Sequence, residues 1–428
     1  MCNVNDFQGT SDSDRIDAAL RHCKNGILVI PKRIPETESE RDWWLIDRAI
    51  VIPGGVTVLL ENCKIKLSDR CRDNFFRSAN CGLGITEIAP LSDIHIKGIG
   101  NCVLEGADHP RATGDGSKVL ANPCPRELAD FRKVRPVWAD MKQVENRSFW
   151  AYHDHSFGAD AGKPGESQYG DWRNIGILFA NVARFSIENV RIVCSHGWAI
   201  SMEACSFGRI EEIDFEADMS KWIDGMSQNI ENQDGIDLRN GCHDILISDI
   251  SGTTGDDIVA LTAIRNKKLH GCGELRSTHV MHSDWSKRDA DISRITIRNV
   301  AGYCGSGICA QIRLLPAETV ISRVIIENLS DTSPADHHDR ASLLLGTGDG
   351  EYGKILPGSL RDIVISNVIS NSVCPILLDG YLQDSVISNV VSLHPKSALF
   401  YVHRKDALVN VQTSNLVSTS DMIFREIC

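Results

Sequence analysis

One short phrase recurs along this chain and limits its architecture more than any other feature: polar, apolar, any, apolar, any, Asn or Asp, apolar. It reads RFSIENV at 184–190, DILISDI at 244–250, RITIRNV at 294–300, RVIIENL at 323–329, DIVISNV at 362–368 and DSVISNV at 384–390. A degraded copy, RIEEIDF, lies at 209–215. The Asn/Asp positions are 189, 214, 249, 299, 328, 367 and 389, separated by 25, 35, 50, 29, 39 and 22 residues. The gap of 50 reads as two repeats.

Each phrase alternates with period two and is rich in Ile and Val, which predicts a strand. Each is too short to bury a core alone, but coils of about 22–30 residues bury a continuous apolar interior when stacked. The Asn or Asp before the last apolar residue suits a tight bend. A β-sandwich would instead space its strands by roughly 8–12 residues, without a shared phrase. The expected fold is all-β, a parallel β-helix running as one domain over 1–428. Ser11–Cys23 is expected to be a helix capping its open end. Ser11 and Asp14 form an S-x-x-D capping box, and Ile16, Ala19, Leu20 and Cys23 share one face. GILVIP at 26–31 and VTVLLENCKIKL at 56–67 read as the first coils.

Composition narrows the partners. The 45 Lys and Arg against 57 Asp and Glu leave a net charge of -12, which disfavours nucleic acid and anionic membranes. No apolar run approaches the roughly 18 residues of a membrane span. The N-terminus, MCNVNDFQGTSDSD, lacks the layout of a signal peptide. The 15 cysteines are scattered, with no C-x-x-C, and read as buried thiols rather than as a disulfide framework or zinc site. A cytoplasmic protein is expected; a secreted one with its leader removed would begin in the same way. The expected partner is an oligosaccharide or polysaccharide, with no cofactor and no metal.

The stretch 108–172 breaks the repeat and carries Trp138, Phe149, Trp150, Tyr152, His153, His155, Tyr169 and Trp172. Such an insertion is either a cover for a binding cleft, with rings to stack on sugars, or a small packed subdomain. His153 and His155 are a weak metal pair. His337 and His338, between Asp336 and Asp339, read as a solvated loop.

The most informative segment is ENQDGIDLRNGCHDILISDISGTTGDDIVALT, 231–262. Asp234 precedes Asp256 by 22 residues and Asp257 by 23, about one coil. Equivalent positions on adjacent coils stack at about 4.8 Å. Crowded carboxylates cannot all ionise, so at least one keeps a proton near neutral pH. One protonated and one ionised carboxyl are the equipment of glycoside hydrolysis. His279 is 22 residues beyond Asp257 and His282 is 25 beyond; Arg313 is 34 beyond His279, roughly one coil further. Each Asp-Gly or Gly-Asp-Asp taken singly is an ordinary turn; their joint spacing points to a site.

These residues resemble glycoside hydrolase family 28, the polygalacturonases and their relatives, within the pectin-lyase-like right-handed parallel β-helices. The family's N-T-D motif is matched by Asn232-Gln233-Asp234, followed by Gly235-Ile236-Asp237. Gly255-Asp256-Asp257 matches its G/Q-D-D motif. Val103-Leu104-Glu105-Gly106 resembles the G-x-I-D-G turn, Ser195-His196-Gly197-Trp198-Ala199-Ile200 the S-P-x-W-x-I stretch lining the cleft, and DFQGTSDSDRIDAAL the opening. The resemblance implies an inverting hydrolase. Asp256 is then the general acid, and Asp234 and Asp257 hold and deprotonate the attacking water. His279 takes the place of the G-H-G histidine, with His282 as the alternative. Arg313 matches the Arg of R-I-K, which holds a sugar carboxylate. Asn232, Asp237, Trp198 and His282 complete the candidate substrate contacts.

The chain departs from this pattern at Leu315, where R-I-K has its Lys, and neither histidine is flanked by glycine. A galacturonate carboxylate would lose one cationic partner, so a short or neutral glycoside is an equal expectation, with exo-acting trimming as its mode. Alternatives on the same fold are a polysaccharide lyase, a fructan-type glycosyl transferase and a non-catalytic glycan-binding β-helix.

Overall fold

The structure is a computed structural model that describes residues 1–35, 40–69, 71, 73–82, 85, 88–108, 175–223, 226–230, 232–265, 289–346, 355–403, 406–420 and 422–426, with side chains 221–229 excepted. The stretch 109–172, with all its aromatics, and both His279 and His282 lie outside the described residues. The described residues form two compact units, 1–233 and 234–265 with 289–428. Each is built as a parallel β-helix.

The N-terminal unit opens with a helix, Asp12–His22. Ser11 caps it, its Oγ accepting from Asp14 N at 3.1 Å, as the capping box requires. Ile16 and Ala19 are buried, whereas Leu20 is only half-buried. The helix packs on the first strands of the unit, Cys2–Asn3, Ile27–Pro31, Trp44–Ile46 and Ile50–Ile52. Its buried Asp12 is neutralised by Arg33 at 2.9 Å and Arg41 at 2.8 Å. A buried carboxylate needs such pairing. Beyond the helix, Ile27–Pro31, Thr57–Glu61, Leu91–Ile99, Val182–Val193 and Ser206–Glu216 pair in parallel. A second series, Ile50–Ile52, Phe76–Ser78, Ile177–Ala180 and Ile200–Glu203, is also parallel.

In the C-terminal unit one series runs His243–Thr254, Ile292–Cys304, Ile321–Asp331, Leu360–Ser370, Leu382–Ser392 and Leu408–Ser418. The other runs Ile236–Arg239, Val259–Ile264, Ala310–Ala317, Ala341–Gly346, Cys374–Asp379, Phe400–Val402 and Phe424–Glu426. Ile247, Ile297, Ile326, Ile365 and Ile387 are register partners on successive coils, each essentially fully buried. Burying each such side chain stabilises by about 1.5–3 kcal/mol relative to exposing it. That stack is the apolar core which no single phrase could build.

The Asn of the phrase sits where the strand turns a corner. Asn299, Asn328, Asn367 and Asn389 all have φ between 56° and 60°, a left-handed conformation that Asn tolerates better than most residues. Their side chains form an external ladder. Asn299 donates to Asp249 at 2.9 Å, Asn328 to Asn299 at 2.9 Å, Asn367 to Asn328 at 3.0 Å and Asn389 to Asn367 at 2.9 Å. Asn415 continues it to Asn389 at 2.8 Å, in a copy, NVQTSNL, that its polar Gln and Thr conceal in the sequence. The first residue of every phrase but the degraded copy is a second left-handed corner, as at Arg323 and Asp362.

Two readings of the repeat change. The gap of 50 is one coil, because Ser248 and Ile250 pair directly with Arg298 and Val300. In the degraded copy the partner of Asn189 is Glu212, with φ 57°, rather than Asp214. Residue type misled there: the left-handed corner, not the amide, is what recurs. Among the described cysteines no disulfide forms and most are buried. No helix among the described residues is long and apolar enough to cross a membrane.

Candidate active site

The predicted carboxylates gather in the C-terminal unit. Ile236 and Asp237 pair with Val259 and Ala260, and Gly235 N donates to Asp257 O at 2.9 Å. Asp234 is thereby set one coil from Asp257, at the equivalent position. Asp234, Asp237 and Asp257 are 6%, 1% and 2% exposed, whereas Asp256 is half-buried. The turn that presents the pair is held by Thr254, whose Oγ1 donates to Asp256 O at 2.6 Å, and by Asp257 N on Asp256 Oδ1 at 2.9 Å.

Arg313 belongs to the same cluster but by a shorter route than its sequence spacing suggests. Ala260 and Arg313 are register partners, so the guanidinium lies on the coil directly after Asp257, not two coils on. Its Nη1 approaches Asp257 Oδ2 at 3.5 Å, while Asp257 Oδ1 accepts Ala310 N at 2.7 Å. Leu315 lies on the same face of that strand as Arg313, since strand side chains alternate. It is 2% exposed and packs with Ile264 and Ala317, so the place next to Arg313 is apolar.

Burial and mutual repulsion govern the protons. Burial pushes the Asp234 carboxyl well above the carboxylate range; the charges of Asp256, Asp237 and Asp257 add to it and Arg313 opposes it. Burial likewise raises Asp237 well above its ordinary value, with Arg239 opposing. Asp257 is pushed up to about 7, first by burial and then by Asp256, against Arg313 and the Ala310 amide. Asp234 Oδ1 and Asp237 Oδ2 are buried without a hydrogen-bond partner among the described residues. Such a cluster holds protons at neutral pH as a unit.

The remaining candidates, Asn232 and Trp198, fall in the N-terminal unit. Trp198 is half-buried and its carbonyl accepts Gly176 N at 2.8 Å; Asn232 is half-buried with φ 53°. Gln233, central in the N-T-D-like triplet, is an anchor there, its Nε2 donating to Ser195 O at 2.7 Å and its Oε1 accepting Met219 N at 3.0 Å. His337 and His338 lie in a loop, as expected, but are half-buried rather than solvated. His337 Nε2 bonds Cys304 O at 2.9 Å and Asp339 at 3.1 Å, and the His338 ring meets His394. Cys309 is the residue that sequence reasoning missed. One oxygen each of Asp256 and Asp257 and the Cys309 Sγ lie within 4.8 Å of one another. The only signal for it was the coil register, which the long interval after Ile264 conceals.

Fold and cluster define a parallel β-helix protein with a buried carboxylate site that retains protons. No protein-family model matches the chain, and no curated protein matches it in sequence. Among solved structures it is similar to a polygalacturonase from Erwinia carotovora ssp. carotovora, at 15% identity and TM-score 0.58, over 99% of this chain and 94% of that one. It is also similar to a hyperthermoactive exopolygalacturonase from Thermotoga maritima, at 13% identity and TM-score 0.53, over 98% and 91%. An endo-xylogalacturonan hydrolase from Aspergillus tubingensis matches at 11% identity and TM-score 0.52, over 100% and 95%. At these identities the likeness is one of fold.

Proposed function

We propose that the protein is a glycoside hydrolase that cleaves its substrate with inversion. The observation that carries this reading is the cluster of Asp234, Asp256 and Asp257 with Arg313, in which crowding keeps protons on carboxyls at neutral pH. Hydrolysis of a glycosidic bond needs a proton for the leaving oxygen and a carboxylate to draw one from water. Asp256, the half-buried member, is the one a substrate can reach, and it donates to the leaving oxygen. Asp234 and Asp257 hold the water; Asp257, at about 7, is part ionised at neutral pH and takes its proton as it attacks, and a proton held by the cluster reaches the leaving oxygen through Asp256. Arg313 orients an oxygen of the sugar and limits how far the proton affinity of Asp257 climbs. The fold likeness to two polygalacturonases and a xylogalacturonan hydrolase supports a pectin-related glycan as the substrate class.

The apolar surround of Leu315 supports a sugar that presents one acidic group at most beside Arg313. A uronate carboxylate there would gain one guanidinium and no ammonium. The test is a screen of the intact chain against galacturonate, rhamnogalacturonan and neutral galactoside oligosaccharides, with anomeric NMR of the first product. Cleavage with inverted configuration, lost in Asp256→Asn, is the expected result. Retention of configuration, an unsaturated product, or full activity in that variant would each overturn the assignment.

A further inference from the structure

We propose that Asp256, Asp257 and Cys309 form a binding site for a thiophilic divalent cation of the zinc class. Three donor atoms, two carboxylate oxygens and one thiol sulfur, already lie within 4.8 Å of one another. Asp257 is positioned by Ala310 N, the residue after Cys309, so one backbone bond ties both ligands to the same corner. Ser306 Oγ donates to Cys309 Sγ at 3.6 Å, which steadies the thiol.

A second feature points independently to a ligand. Asp234 Oδ1 is buried without a hydrogen-bond partner among the described residues, and its equivalent position on the neighbouring coil is that of Asp257. An orphaned buried oxygen close to two more carboxyl groups and a thiol is a cost that a cation relieves. Among the described residues Arg313 stands at 3.5 Å from Asp257 Oδ2, a long contact that brings one positive charge to several carboxyls. Sulfur among the donors selects the metal: zinc and cadmium accept a thiolate, whereas calcium and magnesium prefer oxygen alone. Binding forms a metal–sulfur bond and sends the thiol proton to solvent, with no change of oxidation state.

The consequence rests on the hydrolytic reading. A bound ion takes the oxygens that would hold the catalytic proton and water, so zinc inhibits turnover by occupying the site rather than by a remote effect. The site itself does not depend on that reading.

The probe is Cd²⁺, titrated into the intact chain after chelator treatment and removal, with the ultraviolet thiolate-to-metal charge-transfer band as readout. Cys309→Ser is compared with wild type because other cysteines are present. Circular dichroism and melting establish that each variant folds; Cys309→Ala replaces Cys309→Ser if it does not. The expected result is a saturable band that Zn²⁺ displaces, that disappears in Cys309→Ser, and whose midpoint rises at least about tenfold in Asp256→Asn. No band, an equal band in the Cys309 variant, or an unchanged midpoint in Asp256→Asn would each overturn the site. No substrate is needed, so a chain that hydrolyses glycans without binding Cd²⁺ loses only this site. One that binds Cd²⁺ without hydrolysing anything loses only the enzymatic reading.

Discussion

Arg313 stands against Asp257, its Nη1 3.5 Å from Oδ2 across 56 residues of chain, because Ala260 and Arg313 are register partners on adjacent strands. The guanidinium is the main opponent of the burial and repulsion that raise Asp257. Replacing Arg313 by Met removes a positive charge and disfavours the ionised carboxyl. Asp257 should then titrate above its value of about 7, which carboxyl ¹³C NMR of labelled protein would read directly. A titration moving downward would contradict this account of the cluster.

Asp256→Asn keeps the volume and the carbonyl oxygen that accepts Asp257 N, so the fold should persist. Loss of a positioned general acid costs roughly 100- to 10,000-fold in rate. We expect kcat on the best glycan substrate to fall by that order with little change in melting temperature.

The raised carboxyl makes stability depend on pH in a definite direction. An unfolded Asp titrates near about 3.9, whereas Asp257 in the folded chain titrates at about 7. The native state therefore binds more protons across that window, and stability falls as pH rises through it. The contribution is fully present below about pH 4 and lost above about 7. Asp257→Asn should flatten this slope and stabilise the protein at neutral pH relative to wild type. Denaturant midpoints at several pH values, in chelator, measure the difference.

Asn328 holds two rungs of the ladder at a φ of 60°. Asn328→Ala loses both exposed hydrogen bonds and puts an ordinary side chain in the left-handed region, at about 1–2 kcal/mol. Asn328→Gly loses the bonds without the backbone strain and should cost less. Asn415→Ala, at the ladder's last rung, loses one bond and should also cost less. Thermal melts of the three variants test the order.

Leu315→Lys places an ammonium beside Arg313, in a site that is apolar and 2% exposed. Burying that charge should lower the melting temperature. If an acidic sugar sits against Arg313, the ratio of activity on uronate to neutral oligosaccharides should rise. An unchanged ratio would show that position 315 does not face the substrate.

The sequence alone determined the coil. The period-two phrase with its recurring amide dictates strand, corner and apolar stack, since those depend only on residues near one another in the chain. The capping box at Ser11 and the pairing of Asp234 with the Asp256–Asp257 turn were legible for the same reason, because one uninterrupted coil separates them. Register across the interval after Ile264 was decided only by the tertiary structure. There the 50-residue gap is one coil, Arg313 joins Asp257 directly, and Cys309 arrives beside the carboxylates. The degraded copy failed similarly, Glu212 rather than Asp214 taking the corner, since backbone conformation is selected by strand pairing as well as by side-chain preference. Spacing counts residues along the chain; a β-helix aligns them by hydrogen bonds between coils, and a loop of any length can separate two residues that those bonds bring side by side.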